Sequence, residues 1–330
     1  SRASQFQFEG TWGWVEGLGT SYHVGIDGMA LLLILLTTFL TLIGVLSSPN
    51  YIQDKRREYL ITMLFLETGM LGVFASLDLL LFFVFWEAML LPMYFLIGIW
   101  GHERKLYAAY KFILYTMAGS VLLLVSIIWL WTKTGSFDYF AALSIAPSLP
   151  FGLQKLLFLA FALAFAIKVP LFPFHTWLPH AHAEAPTAGS VLLAGVLLKM
   201  GVYGFLRFAY PLFPQAAKAF MPIIAVLALI GIIYGALMTW VQRDLKRLIA
   251  YSSVAHLGFI MLGVAAGNVI GLQGAMIQMV NHGLSTGALF LIAGMLYERK
   301  HTRDLEAFGG LARAVPVLST FFGIVMLSPG

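Results

Sequence analysis

The sequence predicts an all-α, polytopic helical membrane protein, and three observations support that fold class. Of the 330 residues, 60% are hydrophobic and only 11% are charged, which leaves too little polar surface to cover a soluble domain. Apolar runs long enough to cross a bilayer recur from residue 29 to the end. Cysteine is absent, so disulfides, thiolate-held iron–sulfur clusters and a cysteine nucleophile are excluded within these residues.

The apolar runs predict nine membrane spans and part of a tenth. In chain order they cover residues 29–48, 59–77, 79–100, 110–131, 155–171, 187–209, 219–241, 245–266, 270–297 and 314–330. If the spans alternate strictly across the membrane, thirteen lysines and arginines fall on one side and five on the other. The excess marks the cytoplasmic side, so the end that begins at Ser1 is expected outside. The net charge of +5 therefore reflects orientation, and no nucleic-acid partner is expected.

The thirteen cytoplasmic cations are assigned to loops and span ends. They are Lys55, Arg56, Arg57, Arg104, Lys105, Lys111, Arg243, Lys246, Arg247, Arg299, Lys300, Arg303 and Arg313.

The segment KVPLFPFHTWLPHAHAEAPT interrupts the helical pattern. Its four prolines cannot lie in one continuous helix, because proline lacks an N–H and clashes with the preceding turn. The Ser-Pro-Gly ending of the last run predicts a second break about 155 residues later. Two broken helices indicate an antiporter-like bundle of inverted repeats.

These features divide the chain into four parts. We expect an extracytoplasmic tail with interfacial aromatics over residues 1–28, and a leading span with a basic cytoplasmic loop over 29–58. The first inverted repeat, a proton-uptake half-channel, covers 59–210, and a truncated second repeat covers 219–330. The sequence lacks an initiator Met and stops in apolar residues, so it is expected to be an internal fragment of a longer protein.

Among the ionisable residues within predicted spans, Glu87, Lys168 and Lys199 are the first candidates for proton transfer. A lysine at the centre of a membrane helix costs roughly 2.5–3.5 kcal/mol, which makes a functional role more probable than a structural ion pair. At ~4 Å and an effective dielectric of ~20, a carboxylate stabilises the charged lysine by roughly 4 kcal/mol. Movement of Glu87 toward or away from Lys168 would therefore load or unload a proton.

Histidines supply the predicted onward relay. His175 follows Lys168 in the broken segment, and His256 and His282 lie in two later spans beside serine and amide side chains. Helix–helix hydrogen bonding is the alternative role for the serines and amides. Metal binding by His175, His180, His182 and Glu184 is a further alternative, but their spacing fits no zinc pattern, and nothing else supports haem at His256 and His282. A hydrated cavity wall is the favoured interpretation of the broken segment.

At these residues the chain resembles a known family. The stretches that carry the resemblance are FWEAMLLPMYFLIGIWG, AFAIKVPLFPFHTWLPHAHAEAPTAGSVLLAGVLLKMGVYGFLRF, DLKRLIAYSSVAHLGF and QGAMIQMVNHGLSTGALFLIAGMLYER. Over about residues 25–330 the sequence is similar to the antiporter-like proton-pumping subunits of respiratory complex I. The HTWLPHAH, EAPTAGS and LLK motifs are typical of one subunit among these paralogues.

The resemblance implies roles for individual residues. Glu87 corresponds to the family's glutamate on the fifth helix, Lys168 to the lysine of the broken seventh, and Lys199 to the eighth-helix lysine that links two half-channels. His256 and His282 match relay positions of the second repeat. Family members often have Asp where His180 stands, and their carboxylate on the broken twelfth helix would lie beyond Gly330.

The function implied is that of a proton-translocating subunit of a complex I-type NADH:quinone oxidoreductase, in the bacterial cytoplasmic (inner) membrane. No cofactor is expected in this chain; NADH, FMN, iron–sulfur clusters and quinone would belong to partner subunits. Expected partners are other membrane-arm subunits, including paralogues on either side, together with lipids and protons. One alternative is a subunit of a multisubunit cation/proton antiporter or a hydrogenase-linked relative. Another is a non-pumping scaffold, which the buried lysines argue against.

Overall fold

The computed structural model describes residues 6–328, and nine of the helices in this range are long and apolar enough to cross a membrane. The prediction of nine spans is confirmed. They are Gly28–Ser47, Arg56–Ala75, Leu79–Trp100, Lys105–Thr134, Phe151–Lys168, Thr187–Leu212, Pro214–Trp240, Leu245–Ala265 and Val269–Lys300. The predicted partial tenth span begins as the shorter apolar helix Pro316–Leu327, and its expected break involves Pro329 and Gly330, which lie outside the described residues.

Two strands precede the helices, and several spans consist of more than one helical segment. The strands are β1 (Gln7–Val15) and β2 (Thr20–Ile26). The helices are α1 (Gly28–Ser47), α2 (Arg56–Ala75), α3 (Leu79–Ala88), α4 (Leu90–Trp100), α5 (Lys105–Thr134), α6 (Tyr139–Ile145), α7 (Phe151–Lys168), α8 (Leu178–Glu184), α9 (Thr187–Leu192), α10 (Leu198–Gly204), α11 (Tyr210–Leu212), α12 (Pro214–Trp240), α13 (Leu245–Ala265), α14 (Val269–Lys300), α15 (Leu311–Ala314) and α16 (Pro316–Leu327).

The span Thr187–Leu212 forms the centre of the bundle. Residues in an 18-residue stretch of this span are 94% buried, against 22% for the neighbouring span Pro214–Trp240. Its α-helical segments are joined by two wide π-helical turns, Leu193–Leu197 and Phe205–Ala209. Such turns are frequent at functional sites. Lys199, which follows the first π-helical turn, therefore lies in the most enclosed helix of the molecule.

The predicted helix break after Lys168 is present. Helix α7 ends at Lys168, and α8 begins only at Leu178, because Pro170 and Pro173 cannot donate backbone hydrogen bonds. The Trp177 indole N–H donates to the carbonyl of Ile167 at 2.9 Å, which satisfies one carbonyl near the broken end. A side chain thus replaces part of the interrupted helical hydrogen bonding.

A second interruption, not predicted, divides the span Leu79–Trp100. Helix α3 ends at Ala88 and α4 begins at Leu90. Pro92 explains the interruption, because in a regular helix its ring would clash with the carbonyl of Ala88, four residues earlier. Glu87 therefore lies directly beside a local irregularity of its helix.

Residues 7–26 form an antiparallel hairpin, whereas the sequence predicted only a tail with interfacial aromatics. Trp12 pairs with Tyr22, and Gly19 in the connection adopts a φ of +62°, which favours glycine. A Cβ at Gly19 would lie 2.5 Å from the carbonyl oxygen of Gly135, so the hairpin approaches the end of α5 closely. The aromatic side chains of Trp12 and Trp14 are exposed, and their interfacial role stays a prediction.

Two matching backbone bridges lie 166 residues apart, from 78 to 244 and from 138 to 304. In the first, Asp78 pairs with Asp138, and in the second Asp244 pairs with Asp304. Each aspartate accepts hydrogen bonds from backbone N–H groups at the start of the following helical segment. The first bridge lies on the predicted outer side and the second among the cytoplasmic cations. This arrangement supports an inverted repeat, and the division into residues 59–210 and 219–330 stays a prediction.

Candidate functional site

Lys199 and His282 form a direct contact at the centre of the bundle. Both side chains are fully buried, and the Lys199 Nζ lies 2.7 Å from the His282 Nδ1. The Lys199 Nζ also donates a hydrogen bond to the carbonyl of Ala194 in the first π-helical turn. An amine that contacts both a carbonyl and an imidazole has one partner that holds it and one that can exchange a proton with it.

Two glycines bring the Lys199 and His282 helices together. A Cβ at Gly283, beside His282, would lie 3.0 Å from the carbonyl oxygen of Gly195 and 2.7 Å from a methyl group of Leu36. A Cβ at Gly195 would lie 2.3 Å from a methyl group of Leu40. The absence of side chains at these positions lets α14 approach the π-helical turn closely. The sequence thereby encodes the proximity of His282 to Lys199.

His256 continues the line of polar groups. Its ring centroid lies 5.6 Å from that of His282, and the His282 Nε2 makes no hydrogen bond within the described part of the chain. His256 is half-buried and lines a cavity of about 390 Å³ between α13 and α14. The structure therefore brings together three predicted site residues, Lys199, His282 and His256, from three different spans.

Lys168 and Glu87 form a different kind of site. Lys168 is 1% exposed, and its Nζ has no hydrogen-bond partner in residues 6–328. It lies over aromatic faces, 4.9 Å from the ring centroid of Trp86 and 5.9 Å from that of Phe112. Glu87 is close enough to interact with Lys168 electrostatically, but its Oε1 is buried without a hydrogen-bond partner in the same range. The Lys168 Nζ and the Glu87 Oε1 are therefore not hydrogen-bonded to each other.

The observed ring contacts of His175 are with aromatic side chains and not with Lys168 or Lys199. Its ring stacks on Phe172, with centroids 5.5 Å apart, and meets Tyr234 edge-on at 4.9 Å. Its Nδ1 makes no hydrogen bond to any described residue, although the side chain is only 3% exposed. The predicted relay role of His175 stays a prediction, and no direct contact with Lys168 or Lys199 supports it.

The three histidines of the broken segment face different neighbours. His180 meets Tyr107 edge-on at 5.4 Å, whereas His182 stacks on Phe290 at 4.5 Å. Within residues 6–328, no group of three or more histidine, aspartate and glutamate side chains is arranged to hold a metal ion. His180 and His182, two of the residues considered as metal ligands, therefore contact different aromatic side chains.

His182 is a candidate site residue that sequence analysis underrated. It is fully buried, both ring nitrogens lack hydrogen-bond partners within the described range, and it interacts electrostatically with Lys199. The local sequence could not show this, because the residue lies between prolines and its neighbours come from distant spans.

The arrangement can pass a proton from one residue to the next. Protonated Lys199 donates to the His282 Nδ1, and an imidazole that gains a proton on one nitrogen can release one from the other. The free His282 Nε2 is the nitrogen left for release, with the His256 ring nearby. The fold and the site together define a multi-pass membrane protein with a buried lysine–histidine chain, the class of antiporter-like ion translocators.

Comparison with known proteins agrees with this class. Residues 76–330 match the family described as NADH:quinone oxidoreductase/Mrp antiporter, TM, and the chain belongs to this family. The chain is similar to NADH-quinone oxidoreductase subunit M of Rickettsia prowazekii, with 47% identity over 98% of the chain and 66% of the relative. It is 48% identical to subunit M of Pseudomonas aeruginosa over 96% of the chain and 65% of the relative.

A solved structure of respiratory complex I from Thermus thermophilus contains a chain with the same fold. The TM-score is 0.91 at 35% identity, covering 98% of this chain and 68% of that one. These matches confirm the predicted resemblance to complex I antiporter-like subunits. The chain spans about two thirds of the length of the curated relatives it matches.

Proposed function

We propose that this chain is a proton-translocating membrane-arm subunit of an NADH:quinone oxidoreductase in the bacterial cytoplasmic membrane. The contact between the Lys199 Nζ and the His282 Nδ1 carries the proposal, because it joins a proton donor and a proton acceptor at the most buried point of the bundle. Quinone reduction elsewhere in the complex would supply the energy. The similarity to subunit M of such oxidoreductases supports this assignment.

In the proposed mechanism, Glu87 and Lys168 form the loading switch. An ion pair at ~4 Å would hold the proton on Lys168 with roughly 4 kcal/mol, and separation would release it. The Glu87 Oε1 and the Lys168 Nζ both lack hydrogen-bond partners in the described chain. In the proposed cycle this arrangement belongs to the stage at which Lys168 releases its proton. Lys199, His282 and His256 would then carry protons through the second half of the molecule.

The proposal assigns no redox cofactor to this chain. NADH, FMN, iron–sulfur clusters and quinone would be bound by partner subunits, and paralogous antiporter-like subunits would adjoin this one in the membrane. The second candidate is a subunit of a multisubunit cation/proton antiporter, since the family description names both kinds of protein.

Replacement of Lys199 tests the proposal. The variants Lys199→Ala and Lys199→Met remove the central proton carrier together with the cost of burying it, so the complex should assemble. NADH-driven proton uptake by inverted membrane vesicles should fall by about 10²-fold, the size typical of removing a positioned proton-transfer group. Lys218→Ala, at an exposed position of α12, is the matched control and should pump normally.

Normal pumping by assembled Lys199 variants would show that the lysine is structural. Purification of the complete complex in mild detergent distinguishes the two candidates. NADH dehydrogenase subunits should accompany the chain if it belongs to the oxidoreductase, and their replacement by subunits of a cation/proton antiporter would favour the second candidate.

A further inference from the structure

A second buried lysine, Lys246, lies near the cytoplasmic ends of the spans. The sequence counted it among the cytoplasmic cations of loops and span ends, and the structure places it as the second residue of α13. Its burial was not predicted: the side chain is only 1% exposed, because the broken segment packs against α13. A buried lysine that the proposed mechanism does not yet use requires an explanation.

Lys246 connects the broken helix with the loop that precedes α5. Its Nζ donates to the carbonyl of Ala185 at 2.7 Å and lies 3.4 Å from the His102 Nε2. Glu184, Asp244 and Arg303 are the other charged groups that act on it. Each has a further partner: the Glu184 carboxylate accepts from the backbone N–H of Arg104, and Arg303 pairs with Asp244.

His102 joins Lys246 to a polar cavity on the same side. The cavity measures about 400 Å³, and its lining includes His102, Arg243, Tyr297, His301 and Arg303. Burial, together with the charges of Lys246 and Arg303, lowers the pKa of His102 to about 3, so the ring is neutral and can accept from the lysine. One of those charges belongs to Lys246 itself. When Lys246 gives up its proton, His102 therefore takes one more readily.

His182 interacts electrostatically with both Lys246 and Lys199. It belongs to α8, whose following residue Ala185 accepts from Lys246. Its two ring nitrogens lack hydrogen-bond partners in the described part of the protein. Contacts thus join the cytoplasmic cavity to His102 and Lys246, and electrostatic interactions join Lys246 to His182 and His182 to Lys199.

We propose that Lys246 is a proton-transfer residue that admits protons from the cytoplasmic cavity, by way of His102, to His182 and Lys199. This inference rests on the proposed function of proton translocation. In each step one bond to hydrogen breaks and one forms. The Lys246 ammonium gives a proton to His182 and becomes an amine; His102 then takes a proton from hydronium in the cavity, which leaves water, and the resulting imidazolium gives a proton to the Lys246 amine and becomes neutral again.

A purely structural role is the competing explanation. Lys246 and Arg303 both donate to carbonyls at the end of α8, from Ala185 and Ala183, and cations stabilise helix C-termini. The two explanations differ in one property. A structural cap needs only a charge and a donor, whereas a proton carrier must also be able to lose its proton.

The variant Lys246→Arg separates the explanations, because arginine keeps the charge and the donors but does not deprotonate in proteins. In the complete complex, assembly should be retained while NADH-driven proton uptake per NADH oxidised falls at least tenfold. The matched control is Lys300→Arg, the same substitution at an exposed lysine outside the cavity lining, and it should pump within twofold of the wild type. Pumping by Lys246→Arg at the wild-type ratio would overturn the inference.

A second variant decides the matter if Lys246→Arg fails to assemble. His102→Gln preserves an acceptor for Lys246 but cannot carry a proton, so the pumping ratio should again fall at least tenfold; an unchanged ratio would overturn the inference. Lys199→Ala is measured in parallel. If Lys199→Ala pumps normally, the proposed function has failed. If Lys199→Ala loses pumping while the Lys246 and His102 variants keep it, only the role of Lys246 is contradicted.

Discussion

Lys168 and Lys199 are both buried at the level of the membrane, but their surroundings differ. The Lys199 amine contacts a carbonyl and an imidazole. The Lys168 amine contacts only the faces of Trp86 and Phe112 and has no hydrogen-bond acceptor in the described chain. In the proposed mechanism, Lys199 would therefore exchange protons through these fixed contacts, whereas the proton on Lys168 would depend on the position of the Glu87 carboxylate.

The backbone explains the contrast. Lys168 is the last residue of a helix that ends before prolines. Lys199 follows a wide turn within a continuous buried span, and close packing of Gly195 and Gly283 brings its partner helix near. In the proposed mechanism, a switch and a relay would thus be built from the same residue type by different backbone geometry.

The largest effect within this comparison is expected at Glu87. Glu87→Gln keeps the shape and removes the charge that would hold a proton on Lys168, so pumping should fall steeply, by about 10²-fold. Glu87→Asp keeps the charge and should retain part of the activity. Proton uptake by vesicles containing assembled complex is the measurement, and equal activity of the Gln and Asp variants would contradict the electrostatic switch.

A smaller effect is expected at Trp86. Its ring lies 4.9 Å from the Lys168 Nζ, and a desolvated cation–π contact contributes about 2 kcal/mol. Trp86→Leu should therefore slow pumping by roughly 30-fold. Trp86→Phe keeps an aromatic face and loses the indole hydrogen bond to Ser120, which makes it the matched control. If Phe impairs pumping as much as Leu does, the indole hydrogen bond matters and the cation–π contact does not.

The smallest effect on pumping is expected at His23. This residue is distant from Lys168 and Lys199 in the sequence and lies on the predicted outer side of the membrane. Its ring bridges Asp138, at 2.7 Å, and Glu9, at 3.0 Å. The hydrogen bond to Asp138 raises the pKa of His23 above its usual 6.5, against the effect of burial. Burial alone would raise the pKa of Asp138, but the His23 hydrogen bond and two backbone N–H groups outweigh it and lower that pKa below 3.8.

The signs of these shifts define a pH window for attachment of the hairpin. The contribution of His23 is complete below pH 6.5 and is lost as the pH rises through its raised pKa. The contribution of Asp138 is complete above pH 3.8 and is lost as the pH falls through its lowered pKa. Attachment should thus be strongest between these values.

Hydrogen exchange of the hairpin amides should reveal this window, with protection declining as the pH rises above 6.5 through the raised pKa of His23. In His23→Gln the dependence above pH 6.5 should disappear, while pumping stays within twofold of the wild type. His301→Gln, an exposed histidine on the cytoplasmic side, is the control and should leave the profile unchanged. A wild-type profile in His23→Gln would show that another group controls the hairpin.

The sequence by itself determined the membrane class, the nine spans and the break after Lys168. These depend on local properties, since the length of an apolar run and the chemistry of proline act within one segment. It also identified Lys168, Lys199, His256 and His282, because ionisable residues in apolar runs are conspicuous. The interruption beside Glu87 was within reach as well, since Pro92 is its local signal.

Only the tertiary structure decided which of these residues meet. Lys199 and His282 are 83 residues apart in the chain and come together because two glycines allow their helices to approach. Helix packing also buried Lys246, which the sequence had counted among the cytoplasmic cations, and set His175 against Tyr234. Contacts between spans depend on helix packing at a distance, and the pattern within one span does not contain that information.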